Sequence, residues 1–204
     1  MEQLRYRLTQ PLPGHVAHDV MRATPAGTLV PNFEHKISPK PGSVLILLYP
    51  DGNSIRFPLT LRADYAGAHS GQVSLPGGKA EPGEDYVETA LRECEEEIGV
   101  RRDKLNVIGR LSDFFVIPSN FKVVPVIATS QSRPEFKADP VEVVKILEGD
   151  LYALTGNNAI RQKEILAAKQ YRMLAPHFEI DGEIVWGATA MMLNELRTIL
   201  MEII

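Results

Sequence analysis

Residues 85–99, DYVETALRECEEEIG, constrain the fold more tightly than any other stretch of the chain. At about 100° per residue on a helix, Val87, Leu91, Cys94 and Ile98 fall within roughly 60° of one another, with Ala90 beside them. Gly99 ends the run. A helix with a single apolar stripe must bury it against another layer, so the spacing predicts a helix from about Asp85 to Ile98 packed on a sheet. On the same wheel Glu93, Glu96 and Glu97 occupy a second arc of roughly 100°, while Glu95 flanks the apolar stripe. These acids repel one another and crowd the helix C-terminus, where the macrodipole disfavours negative charge. Arg92 points away from the centre of the patch, and Arg101 and Arg102 lie beyond Gly99. The patch is therefore either a solvated acidic face or the seat of a hard divalent cation, which takes carboxylate oxygens as ligands.

Strands dominate the sequence around this helix. SVLILLYP, residues 43–50, is a short apolar run of the kind that forms a buried strand. The turn signal at residues 51–53 leads to a partner strand, SIRFPLTL, residues 54–61, in which Pro58 requires a bulge or an edge position. A glycine-rich loop at residues 67–83 precedes the helix. Residues 105–117 and 121–130 read as two strands joined by Pro118-Ser119-Asn120, and residues 141–155 as a strand passing into a short helix. Residues 177–186 form a hairpin pattern around Asp181-Gly182. Residues 187–204 read as a long C-terminal helix, apolar on more than one face, which points to a homodimer. The expected fold is α+β, with a mixed sheet between helices, over residues 43–204. Residues 1–42 read as an extension lying on or beside that domain, with one or two helical turns broken by Pro11 and Pro13.

The segment Gly78–Val100, GKAEPGEDYVETALRECEEEIGV, carries a specific pattern. After Gly78 come Glu84, then Arg92-Glu93, an apolar Cys94, Glu96-Glu97, Gly99 and an apolar Val100. This resembles the Nudix box of the Nudix hydrolase family, matched at every specified position. The resemblance implies a loop–helix–loop on an α/β/α sandwich, and hydrolysis of a nucleoside diphosphate linked to another moiety with Mg²⁺ or Mn²⁺. It implies metal ligation by Glu93, Glu96, Glu97 and the backbone carbonyl of Gly77, with Glu84 and Arg92 as an ion-paired brace. A diphosphate bridge repels nucleophiles. Divalent ions neutralise it and activate water, and a carboxylate takes the proton. Glu93 is one candidate base and Glu142, in ADPVEVVKI, the other. Read without the resemblance, Glu142 is an exposed loop acid.

The flank PLTLRADYAGAHSGQVSLPGG, residues 58–78, is similar to the coenzyme A pyrophosphatase subgroup. Leu59, Thr60, Arg62, Ala63, Gly71, Pro76, Gly77 and Gly78 match, and His69, Ser70 and Gln72 fit its His-x-Gly-Gln form. Pro58, Gly67 and Leu75 depart from it, Gly67 replacing an arginine. APHFEIDGEIVWGATAMMLNEL, residues 175–196, resembles the subgroup's terminal hairpin and helix. The resemblance implies a coenzyme A-type substrate, with Arg62, His69, Gln72 and Arg110 as candidate substrate contacts and Lys122 as a further cation for the 3′-phosphate. The Gly67 departure keeps ADP-ribose or another nucleoside diphosphate derivative open as the substrate. A silent nucleotide-binding regulatory module is the reading from a different class. Phe114 and Phe115 lie on opposite faces of one strand. One of them could stack on adenine, although core packing is the plainer reading. Trp186 and Cys94 read as core.

Composition bounds the remaining functions. A net charge of −4 disfavours capture of nucleic acid. No apolar run approaches the length of a membrane span. MEQLRYRLTQPLPG lacks the apolar core of a secretory signal, and a single cysteine fits a reducing compartment. The expectation is a cytoplasmic protein with no membrane partner.

Overall fold

The computed structural model describes residues 1–30, 32–63, 71–168 and 170–204. The chain opens with two short helices, α1 (Glu2–Arg7) and α2 (His15–Asp19), and a short strand, β1 (Thr24–Pro25). Next come β2 (Lys40–Asp51), β3 (Ser54–Arg62), β4 (Val73–Ser74) and β5 (Gly77–Lys79), then α3 (Tyr86–Ile98). Strands β6 (Asn106–Arg110), β7 (Phe114–Val116), β8 (Phe121–Thr129) and β9 (Val143–Asp150) lead to α4 (Leu151–Thr155). The chain closes with β10 (Arg161–Ala167), β11 (Tyr171–Ile180), β12 (Glu183–Trp186) and α5 (Gly187–Met201).

The main sheet is mixed. β2 runs parallel to β8, from Lys40 opposite Phe121 to Leu48 opposite Thr129, while every other pairing in the sheet is antiparallel. Period-two alternation gives β2 two buried faces. Leu45, Leu47 and Tyr49 pack with Ala90, Cys94 and Ile98 of α3. Ile46 and Leu48 face the opposite way, into the larger cluster that contains Leu193, Leu196 and Ile199 of α5. The molecule is α+β, with the sheet between α3 on one side and α5 on the other. Pro58 falls where β3 has left β2 and pairs with β9 at Glu148, so its missing N–H interrupts no ladder with β2.

Several expectations change. The strand read over residues 105–117 divides into β6 and β7, because the chain leaves the ladder around Leu111, whose amide bonds to Pro125 O at 2.8 Å. A second sheet, β1–β11–β10 with β12 beside β11, includes β10, which the sequence pattern did not reveal. Its burial is mostly exposed rather than alternating, so it carries no apolar period. Most of the C-terminal helix is covered within the chain: Ala190, Met191, Met192, Leu193, Asn194, Glu195 and Leu196 are all buried. The apolar surface over these residues is covered within one chain, so it does not by itself call for a second copy.

The first residues supply part of the covering. Leu4 and Met21 are buried in the core cluster. Asn194 of α5 donates Nδ2 to Ala17 O at 2.7 Å, and the fully buried Glu195 meets His18 Nε2 at 2.8 Å. Among the described residues, no helix is long and apolar enough to cross a membrane.

Candidate active site

The candidate site begins with the way α3 is started and stopped. Asp85 accepts from the amides of Val87 at 2.8 Å and Glu88 at 2.9 Å, and the Glu88 carboxylate accepts from the Asp85 amide at 2.9 Å. This reciprocal box fixes the entry of the helix. Gly99, at φ 74°, terminates it in the left-handed conformation that glycine adopts without strain. The sheet fixes the preceding loop. β5 pairs with the start of β2, placing Gly78 opposite Ser43 and Gly77 opposite Val44. A Cβ on Gly78 would fall within contact distance of the Glu93 carboxylate, so the absence of a side chain lets helix and loop meet there.

Arg92 ties these parts together. Its Nε and one Nη donate to both Glu84 oxygens at 2.7 and 3.0 Å, and the same Nη reaches Lys79 O at 3.1 Å. The other Nη lies 3.0 Å from Glu93 and 2.8 Å from Glu96. The Arg92 bonds hold the Glu84 carboxyl down at about 2. The sequence argument that the acidic patch lacks counter-charges is thus corrected. Arg92 curls back over the patch. Arg102, beyond the helix, reaches Glu95 at 2.7 Å on the flank, and Arg62 of β3 reaches Glu97 at 3.1 Å.

Glu97 is also not on an open face. It is 2% exposed, enclosed by Arg62 and by the Gly77 amide, which donates to it at 3.2 Å. Burial pushes its carboxyl up to about 7; Arg62 and the Gly77 amide oppose the shift, and Glu93 and Glu142 add to it. Burial likewise raises Glu93, against the pull of Arg92. Glu142 is exposed at the edge of this group, its Oε2 3.8 Å from Arg62, and the Ala63 amide bonds to its carbonyl at 2.9 Å. Among the described residues, no three acidic, histidine or cysteine side chains close on one point as an assembled ion site would. The donor set nonetheless suits a hard cation. Two carboxylates are held away from water at a free-energy cost, and their oxygens are the ligands that such ions take.

These groups stand at one end of a cleft of about 920 Å³. Arg62, Gln72, Gly77, Gly78, Glu93 and Glu142 line that end. Arg110 does not line it: its guanidinium pairs with Asp113 and lies 5.1 Å from the Tyr86 ring centre. Lys122 also pairs with Asp113, at 2.8 Å. His69 and Gly67 fall outside the described residues. Much of the remaining wall is aromatic and apolar, with Phe114, Phe115, Phe121, Tyr171 and Trp186 beside Met191 and Met192. Trp186 is only half-buried and faces the cleft, which corrects its reading as core. His15, His18 and Arg22 of the N-terminal segment also line the cleft. No spacing in the sequence pointed to them, because only the folded chain returns them to the site.

A profile of the NUDIX domain matches residues 39–172. Nudix hydrolase 22, a chloroplastic protein of Arabidopsis thaliana, is 31% identical over 174 residues, covering 82% of this chain and 57% of its own length. This chain therefore spans little more than half of that relative. The uncharacterized Nudix hydrolase NudL of Yersinia enterocolitica is 29% identical over 194 residues, covering 94% of this chain and 88% of the bacterial protein. Among solved structures, the M. smegmatis Nudix hydrolase RenU superposes with a TM-score of 0.52 at 18% identity, over 82% of this chain and 90% of that one, a likeness of fold. The mixed sheet with α3 against it, and a profile match covering more than half of the sequence, make this chain a member of the Nudix domain family.

Proposed function

We propose that the chain is a divalent-metal-dependent pyrophosphohydrolase that cleaves the diphosphate bridge of coenzyme A or a derivative, releasing 3′,5′-ADP and 4′-phosphopantetheine. The observation that carries the reaction class is the grouping of Glu93, Glu142 and Arg62 in the lining of one large cleft, with the buried Glu97 paired to Arg62. Hydrolases of this family generally require divalent metal ions. In this reading Glu93, Glu96, Glu97 and the Gly77 carbonyl hold Mg²⁺ or Mn²⁺. When bound, the ion offsets phosphate charge and acidifies water.

The chain's own groups do the rest. Arg62, in the cleft lining, offers a guanidinium to phosphate oxygens. Glu84 and Arg92 keep the helix and the glycine loop in register. Glu142, exposed and close to Arg62, is free to accept the proton of the attacking water, with Glu93 as the other candidate. Arg62 and Gln72 are the substrate contacts supported by their place in the cleft lining; Arg110 is not.

The coenzyme A assignment rests on the loop preceding the box and on the hairpin at residues 175–196. Gly67, in place of the subgroup's arginine, supports the second reading, in which ADP-ribose or another nucleoside diphosphate derivative is the substrate. Incubation with coenzyme A and Mn²⁺, followed by separation of products, tests the proposal. The expected product is 3′,5′-ADP. None above a metal-free control overturns the substrate, and no turnover of any member of a nucleoside diphosphate panel overturns the enzyme in favour of a binding module.

A further inference from the structure

Glu195 is an unusual residue to find at the centre of a helix–helix contact. It is fully buried, yet it accepts from the Gly14 amide at 3.0 Å, Ser112 Oγ at 2.6 Å and the Ser112 amide at 3.3 Å, and it meets His18 Nε2 at 2.8 Å. A carboxylate in the core is costly. Apolar side chains would join α2 to α5 at least as stably. What the network adds is orientation. It joins the N-terminal segment, α5 and the linker between β6 and β7. The linker residue Ser112 is two positions before Phe114.

Phe114 is the aromatic side chain this network governs. Its ring meets that of His18 at 5.0 Å between centres and 81° between planes. His18 is 5% exposed and cannot swing away while Glu195 holds it. Phe114 itself is half-buried and lines the cleft that contains Glu93 and Arg62. Phe115, the next residue, also lines the cleft, but it is 43% exposed and has only the surface residue His35 as its ring partner among the described residues. A flat apolar group held by the core cluster and by a fixed neighbouring ring, in a cleft that also presents Glu93 and Arg62, is preorganised for a flat apolar part of a charged ligand.

We infer that Phe114 is the stacking platform for the nucleobase of the ligand, and that His18 and Glu195 are positioning residues that set its ring. The inference rests on the nucleotide reading of the cleft but not on turnover. Trp186, the chain's one tryptophan, lines the same cleft, so its fluorescence reports entry of a ligand.

Binding of AMP and of inorganic pyrophosphate, with Mg²⁺ present, is measured by calorimetry and by Trp186 fluorescence on the full chain. The comparison is between wild type, Phe114→Leu and Glu195→Gln. Base stacking is worth enough that Phe114→Leu should weaken AMP roughly tenfold or more while leaving pyrophosphate unchanged. Glu195→Gln should reproduce part of that selective loss. The inference is overturned if wild type shows no AMP binding, if Phe114→Leu leaves AMP affinity unchanged, or if that variant weakens both ligands equally. Should Glu195→Gln fail to fold, His18→Gln supplies the second arm, and an unchanged AMP affinity there overturns the positioning role. Selective AMP binding without hydrolysis of any diphosphate would defeat the proposed activity and leave the platform standing.

Discussion

Glu97 unites the two opposing demands on the site. It is the most buried of the box glutamates, and its carboxyl is held at about 7 instead of the ordinary 4.5. In the metal-free protein the folded state therefore keeps a proton between these values that the unfolded state has released. The stability contribution of this group is largest below about 4.5, falls as pH rises towards 7, and is constant beyond. In chelator, the midpoint of thermal unfolding of Glu97→Gln relative to wild type should become more positive from pH 5 to pH 8. A difference that does not change with pH would refute the shift. With metal, the same proton competes with the ion. Calorimetric affinity for Mn²⁺ should fall as pH drops below about 7. If Glu97 is a ligand, Glu97→Gln should also lower turnover by on the order of 10²-fold or more at saturating metal, with the far-ultraviolet circular dichroism unchanged. Wild-type turnover would remove it from the site.

At the scale of elements, the helix and its loop were legible because their determinants are local. The spacing of Val87, Leu91, Cys94 and Ile98 reports one buried face, and Gly99 reports the stop. Asp85 to Ala should cost about 1 kcal/mol in denaturant unfolding, since it deletes a cap that serves two amides. The tertiary fate of the glutamates was not legible. A helical wheel separates Glu97 from the apolar stripe but is blind to Arg62, which arrives from another strand to cover it. Nor does a wheel show that Arg92 folds back across the patch to Glu84. Gly78 shows what the loop contributes. Its substitution by Ala places a methyl group against the Glu93 carboxylate, and small displacements of reacting groups are expensive in rate. The expected result for Gly78→Ala is a loss of kcat/KM of roughly 10²-fold, with far less effect on the unfolding midpoint. Equal damage to both would mean that the glycine serves the fold alone.

For the whole molecule, the sequence set residues 1–42 on or beside the domain, and the folded chain draws side chains of that segment into the core. How deeply that segment packs was not legible, for a physical reason. A six- and a five-residue helix separated by prolines carry no long period, yet single side chains in and beside them complete packing begun elsewhere. Leu4 and Met21 are 2% and 0% exposed, and Asn194 and Glu195 of α5 bond to residues 14–18. Deleting residues 1–22 removes these apolar side chains, at about 2–5 kcal/mol for each large one. It also strips a buried carboxylate of two of its partners, and breaking such a pair costs about 3–5 kcal/mol. Domains are stable by only about 5–15 kcal/mol in total. The shortened chain should therefore lose cooperative unfolding in urea, or show a midpoint far below that of the full chain, even with metal and nucleotide present. A truncated protein with the midpoint of the full chain would make the segment an appendage. It would also dissolve the link from Glu195 through His18 to Phe114, since the wall that these residues form would then be dispensable.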